Sequence, residues 1–170
     1  IGNFSVFLYW SGKKLLILGG NPETSVLVKK ANQLGIYTIV ADPNPESPAK
    51  SFSNKKYDID GFDIPNLIKV AKREKVDGIL VGVADILVSP YLELCEALKL
   101  PCYASKKIVD ALSSKDGFIN VCRKYDVNVI PSYKLNKSFD PKDLNKIIYP
   151  VIVKPVDNGG GVGISICMGD

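Results

Sequence analysis

LLILGGNPETSVLVKKANQLGIYTIVADPNPESP, residues 15–48, is the stretch that decides the fold. Leu15–Leu18 is a short apolar run ended by Gly19–Gly20, which reads as a buried strand followed by a turn. Pro22 and Thr24 open a helix with Leu27, Ala31 and Leu34 on one face, and Gly35 closes it. Ile36–Ala41 is a second apolar strand, stopped by the turn-rich segment Asp42–Pro48. Apolar strands separated by a helix predict parallel pairing in a sheet that is covered on both faces.

The alternation continues beyond this unit. After Tyr57–Ile59 a helix carries Ile64, Leu67, Ile68 and Ala71 along one stripe, with Lys69, Lys72 and Arg73 toward water. Gly78–Val83 is the next strand. The helix after it places Leu87, Tyr91, Leu94, Cys95 and Leu98 at helical spacing, and Pro101–Ala104 reads as a final short strand. Right-handed crossovers then give an α/β, doubly wound parallel sheet over residues 13–104. Before it, Phe4–Trp10 (FSVFLYW) is too short to span a membrane, which takes ~20 apolar residues. It also lacks the basic start and small-residue cleavage site of a signal peptide, and reads as an edge strand or an appended segment.

Composition narrows the chemistry. The 170 residues suit one domain, or a small domain plus part of another, and 46% hydrophobic with 24% charged content is that of a globular core. The formal charge of +4 is spread over predicted solvent faces with no aromatic-interleaved basic cluster, so neither nucleic acid nor a membrane is expected as a partner. The sequence is compatible with a homo-oligomer. The absence of histidine excludes a Cys/His zinc site and the usual histidine-based triads. The four cysteines show no CxxC spacing and fit reduced thiols in a reducing cytoplasm.

After Ser105 the pattern changes. Ser113 and Asp116 form a capping-box-like S-x-x-D before a helix with Phe118, Val121, Cys122 and Tyr125 on one face. Ile130–Leu135 is strand-like, and Asp140–Pro141 starts a helix for Leu144, Ile147 and Ile148. Pro150 ends that helix and leads into the strand Val151–Lys154, which the glycine loop Asp157–Gly163 turns into Ile164–Cys167. Strand, glycine turn and strand predict a β-hairpin. Residues 105–170 therefore form a second, α+β domain.

Lys154 ends an otherwise apolar strand, where a buried ammonium is expensive unless it meets an anion. Gly159, Gly160, Gly161 and Gly163 leave backbone N–H groups uncovered, and such amides can wrap phosphate oxygens. The bland alternative is a hairpin tip with a solvated lysine. The loop is no Walker A motif, because no Gly-Lys-Ser/Thr opens a following helix. Lys115 is either an exposed first-turn lysine or a group balanced by an anion at its helix N-terminus. Asp42 reads as a turn-initiating residue before Pro43. Gly20 and Asp85, at the carboxyl edge of the sheet, are candidates for touching the acceptor substrate, with a helix N-cap as the alternative for Asp85.

The segments LLILGG, ADPNPESPA, Ser114-Lys115-Asp116 and YPVIVKPVDNGGGVGIS resemble the ATP-grasp superfamily, and more closely its carbamoyl-phosphate-synthase and biotin-carboxylase-like branch. The likeness runs from about Lys13 to Asp170. It implies a pre-ATP-grasp, Rossmann-like domain at 13–104 and the N-terminal part of an ATP-grasp domain at 105–170. It also implies that Lys115 and Lys154 contact ATP, and that the loop with Gly159, Gly160, Gly161 and Gly163 closes over the β- and γ-phosphates. Relatives often carry a basic residue where this chain has Val162. The implied enzyme is a ligase using ATP and magnesium, with metal ligands expected beyond residue 170. Its partners would be a small-molecule carboxylate (or bicarbonate) and a nucleophile such as an amine. These 170 residues alone would then be inactive, and the loop Asn158–Gly163 poorly ordered without nucleotide. The rival readings are a non-catalytic Rossmann-type nucleotide-binding module, holding its ligand at Gly19–Gly20 and Asp42, and a partner subunit of a split enzyme.

Overall fold

A computed structural model describes residues 9–112, 114–133, 141–155 and 162–169. The chain divides into two compact units, Ile1–Lys106 and Lys107–Asp170.

The first unit is a four-stranded, all-parallel sheet in the order β3-β2-β1-β4, formed by β1 (Lys14–Leu18), β2 (Tyr37–Ala41), β3 (Lys55–Tyr57) and β4 (Gly78–Val81). Helices α1 (Pro22–Gln33), α2 (Ile64–Glu74) and α3 (Val88–Leu98) connect and cover it. β1 has no polar alternation because successive side chains enter different cores. Leu16 and Leu18 join Ile39, Leu67, Tyr91 and Leu94 on one side, whereas Ile17 packs with Val28, Val40 and Ala49 on the other. Helices on both faces make the sheet doubly wound, as the alternation predicts.

Local chemistry sets the element ends. Asn21 caps α1 by accepting from the Thr24 amide at 3.0 Å, and Gly35 follows the helix at φ 77°. β4 stops at Val81, short of the expected Val83, because the Val83 amide donates to Thr24 Oγ1 at 3.4 Å rather than to a strand. Pro101–Ala104 is not a strand. The Tyr103 amide is spent on the Tyr91 hydroxyl at 3.0 Å, which removes a donor a fifth strand would need. The expected edge strand Phe4–Trp10 lies mostly outside the described residues, and its last two residues, Tyr9 and Trp10, are helical.

The second unit holds α4 (Lys106–Leu112, reaching back over the boundary), α5 (Lys115–Lys124), α6 (Pro141–Leu144) and an antiparallel hairpin of β5 (Val151–Val153) and β6 (Ser165–Cys167). Helix α4 was not read from the sequence. Ser114 caps α5 by accepting from the Gly117 amide at 3.0 Å; Ser113, to which the capping box was assigned, lies outside the described residues. Of the face assigned to α5 only Cys122 is buried, while Phe118 and Tyr125 are exposed. The helix expected from Asp140 onward is a single turn, with Ile147 and Ile148 past its end. Residues 130–133 have no regular structure, and 134–140 lie outside the described residues. Among the described residues no helix is long and apolar enough to cross a membrane.

Candidate functional site

Two places gather the residues singled out by sequence. One is the carboxyl edge of the parallel sheet, where open α/β sheets bind ligands. A cleft of about 180 Å³ there is lined by Gly19, Gly20, Asn21, Asp42, Asp60 and Ile86 among others, so all four strand ends contribute. Gly19 takes φ 86°, which suits glycine alone. A Cβ on Gly20 would lie 2.8 Å from Ser47 Cβ and 3.1 Å from Asp42 Cβ, so this turn packs directly on the chain after β2. Asn21 also reaches across the cleft floor, its Nδ2 donating to the Val83 carbonyl at 3.0 Å.

Asp42 forms the expected turn, its Oδ1 accepting from the Asn44 amide at 2.9 Å. Asp85 does not cap a helix: it is the first residue of a 3-10 turn, Asp85–Leu87, and Ala84 is at the cap position. Asp85 is exposed, and its neighbours Ala84, Ile86 and Leu87 line the cleft in its place.

Lys50 went unnoticed in the sequence. Its buried ammonium donates to the carbonyls of Asp42 at 2.6 Å and Asn44 at 2.7 Å, and pairs with Asp58 at 2.7 Å. No periodicity marks a lysine inside a turn-rich segment. The only available signal was the concentration of carbonyls in a proline-rich loop, whose missing N–H groups leave acceptors to be met by side chains.

The other place is the hairpin of the second unit. Lys115 begins α5, and its Nζ donates to the Pro155 carbonyl at 2.8 Å, immediately after Lys154. Gly117 lets α5 start close to the end of α4, since a Cβ there would meet Ala111 C at 3.1 Å and Ser114 Oγ at 2.9 Å. On the return strand, Gly163 has φ 74°, and a Cβ would lie 2.8 Å from Pro155 Cγ. The structure thus brings Lys115, Pro155 and Gly163 together, one residue from Lys154. Gly159, Gly160 and Gly161 lie outside the described residues, as does most of the loop Asn158–Gly163 whose order was in question. The burial premise for Lys154 is wrong: Lys154 is exposed, as are Ile152 and Val153. A two-stranded hairpin has too little cover to desolvate an ammonium. Among the described residues no group of three His, Cys, Asp or Glu side chains is placed to hold a metal ion.

Away from both places, two carboxylates are held ionised by salt links. The Lys55 ammonium (2.7 Å), then the Tyr57 hydroxyl, lower the Glu74 carboxyl, and Lys13 and the Lys14 amide do the same for Asp77.

Comparison with known proteins places this geometry. The N5-carboxyaminoimidazole ribonucleotide synthetase of Thermotoga maritima superposes with a TM-score of 0.73 at 24% identity, over 93% of this chain and 41% of that one. The chain carries the front portion of the ATP-grasp fold. A sequence relative of this ATP-grasp type is the formate-dependent phosphoribosylglycinamide formyltransferase of Bacillus velezensis, 25% identical over 160 residues, which are 93% of this chain and 41% of that protein. The N5-carboxyaminoimidazole synthetase of Staphylococcus aureus, solved with ADP, superposes with a TM-score of 0.75 at 19% identity, over 94% of this chain and 42% of that one. The chain therefore spans about two fifths of the length of each of these three proteins. No family model matches the sequence.

Proposed function

We propose that this chain is the front part of an ATP-dependent ligase that activates a carboxylate or bicarbonate as an acyl phosphate, which an amine or other nucleophile then attacks. The observation that carries the reading is the Lys115 contact, which ties the start of α5 to the hairpin strand 2.8 Å away at Pro155. Lys115 thus lies beside the residue that follows Lys154, and the sequence after Pro155 is rich in glycine. This donor set suits a polyphosphate, because phosphoryl transfer needs mainly positioning and neutralisation of charge.

ATP supplies the phosphoryl group. Lys115 holds the helix start against the hairpin, Lys154 offers a charge to the phosphate oxygens, and the amides of Gly159, Gly160, Gly161 and Gly163 would line their path. Gly163 supports this role independently, because its positive φ and its closeness to Pro155 admit no side chain. The cleft with Gly20 is assigned to the acceptor substrate, with the exposed Asp85 next in sequence to the lining residues Ala84 and Ile86. Magnesium would be held by carboxylates outside these 170 residues. Residues 13–104 and 105–170 would serve as the pre-ATP-grasp domain and the first part of the ATP-binding domain.

The test uses the full-length enzyme and a panel of carboxylates labelled with oxygen-18. Transfer of label from the carboxylate into released inorganic phosphate is expected, since an acyl phosphate hands one carboxylate oxygen to the phosphate when attacked. Nucleotide turnover with label-free phosphate would overturn the reading.

A further inference from the structure

We propose that the first unit carries a second binding site, for a small amphipathic anion: an apolar body ending in one carboxylate. A cavity of about 290 Å³ opens between the ends of α2 and α3. Val76, Leu98 and Leu100, with two alanines, give it an apolar lining. Lys72, Lys75 and Lys99 supply its charge, and among the described residues no carboxylate joins them in the lining. Val76 lies two residues before β4 begins at Gly78, which sets the cavity at the amino edge of the sheet. The cleft at Gly19 and Gly20, which follow the end of β1, is at the opposite edge.

The two helices end in the same way. Lys75 and Lys99 each take a left-handed conformation, with φ of 54° and 55°, a region that favours glycine. The next amide then folds back: Val76 donates to the Ala71 carbonyl at 3.1 Å, and Leu100 to the Cys95 carbonyl at 2.9 Å. The Lys75 and Lys99 amides take the carbonyls of Lys72 and Glu96. Backbone amides, not lysine side chains, therefore meet these terminal carbonyls. Both turns set an apolar residue, Val76 or Leu100, into the cavity wall beside an exposed lysine. Among the described residues no ion pair or side-chain hydrogen bond engages Lys72, Lys75 or Lys99. The carboxylate of Glu74, next to Lys75 in sequence, is spent on Lys55 at 2.7 Å and on Tyr57.

Three like charges around an apolar wall repel one another, and a bound anion relieves that repulsion while its body displaces water from the wall. At ~30 Å³ for each water-sized group, the cavity holds about ten heavy atoms. That is the size of a medium-chain fatty acid such as octanoate. A bare phosphate would leave the apolar wall wet, and a nucleotide is too large.

The full-length protein, without nucleotide, is titrated with octanoate and followed by saturation-transfer difference NMR, with octanol and octylamine as neutral and cationic controls. Octanoate is expected to bind saturably, octanol about ten-fold more weakly, and octylamine not at all. The deciding variant combines Lys75→Gly with Lys99→Gly, because glycine is the residue these left-handed positions prefer. It should melt close to or above the wild-type temperature, yet bind octanoate roughly five- to thirty-fold more weakly. Lys72→Gln, which leaves both turns intact, should weaken binding in the same direction. Absence of saturable octanoate binding would overturn the proposal. So would octanol binding as tightly as octanoate, or an unchanged octanoate affinity in either variant.

Discussion

Replacing Lys50 by methionine keeps the apolar stem and removes an ammonium whose side chain is 1% exposed. Its acceptors are the carbonyls of Asp42 and Asn44 and the Asp58 carboxylate. Asp58 is 57% exposed and rehydrates readily, so that ion pair contributes only about 0–1 kcal/mol. The carbonyls matter more, because a hydrogen bond from a charged donor contributes roughly 1.5–3 kcal/mol and an orphaned acceptor costs about 1–3 kcal/mol. The ammonium itself was expensive to bury, which offsets part of the loss. The net destabilisation expected is about 2–3 kcal/mol. With a urea dependence of about 1–3 kcal/mol per molar, the unfolding midpoint should fall by about 1 M. Equilibrium urea unfolding followed by circular dichroism reads this directly. A loss below about 0.5 kcal/mol would refute the claim that this lysine holds the loop after β2 against the sheet edge.

Three further outcomes follow from the same structure. Gly163→Ala forces a side chain into a positive φ, costing about 1–2 kcal/mol, and against Pro155 Cγ; amide exchange in Val151–Val153 and Ser165–Cys167 should accelerate by about ten-fold or more. Glu74 has its carboxyl held below 4.5 by Lys55 and Tyr57, so its contribution to stability is complete above that pH and is lost as pH falls through the lower folded-state value; the stability gap between wild type and Glu74→Gln should shrink in acid denaturation curves. The 170-residue chain alone should release no ADP in a metal-dependent ligase assay, and sustained turnover would contradict its assignment as a front part.

The parallel sheet was legible because β1, β2 and β4 are largely apolar runs and β1 feeds two cores at once, whereas the edge strand β3 is the polar, largely exposed Lys55–Tyr57 and carries no such signal. The fifth strand was misread because Pro101–Ala104 carries strand-like composition, yet its donor at Tyr103 is taken by a hydroxyl from a helix. The second unit was read less well. Its helices are short and mostly exposed, so periodicity there carries little packing information, and α4 escaped notice. At the site, the hairpin itself was legible from its strand–glycine–strand pattern and the helix start was placed one residue early, at Ser113 rather than Ser114, whereas the Lys115–Pro155 contact joins residues 40 apart in sequence. Lys50 shows the same limit, for its partners are backbone oxygens that no residue pattern encodes.

The central claim is that the hairpin lysine meets ATP, and Lys154→Met in the full-length enzyme tests it. The substitution removes the charge from an exposed side chain, so the melting temperature should scarcely move. A charge-assisted contact to phosphate contributes roughly 1.5–3 kcal/mol, so calorimetric titration should show ATP binding about ten- to a hundred-fold weaker than in wild type. Equal affinities in the two proteins would remove Lys154 from the nucleotide site and contradict the account.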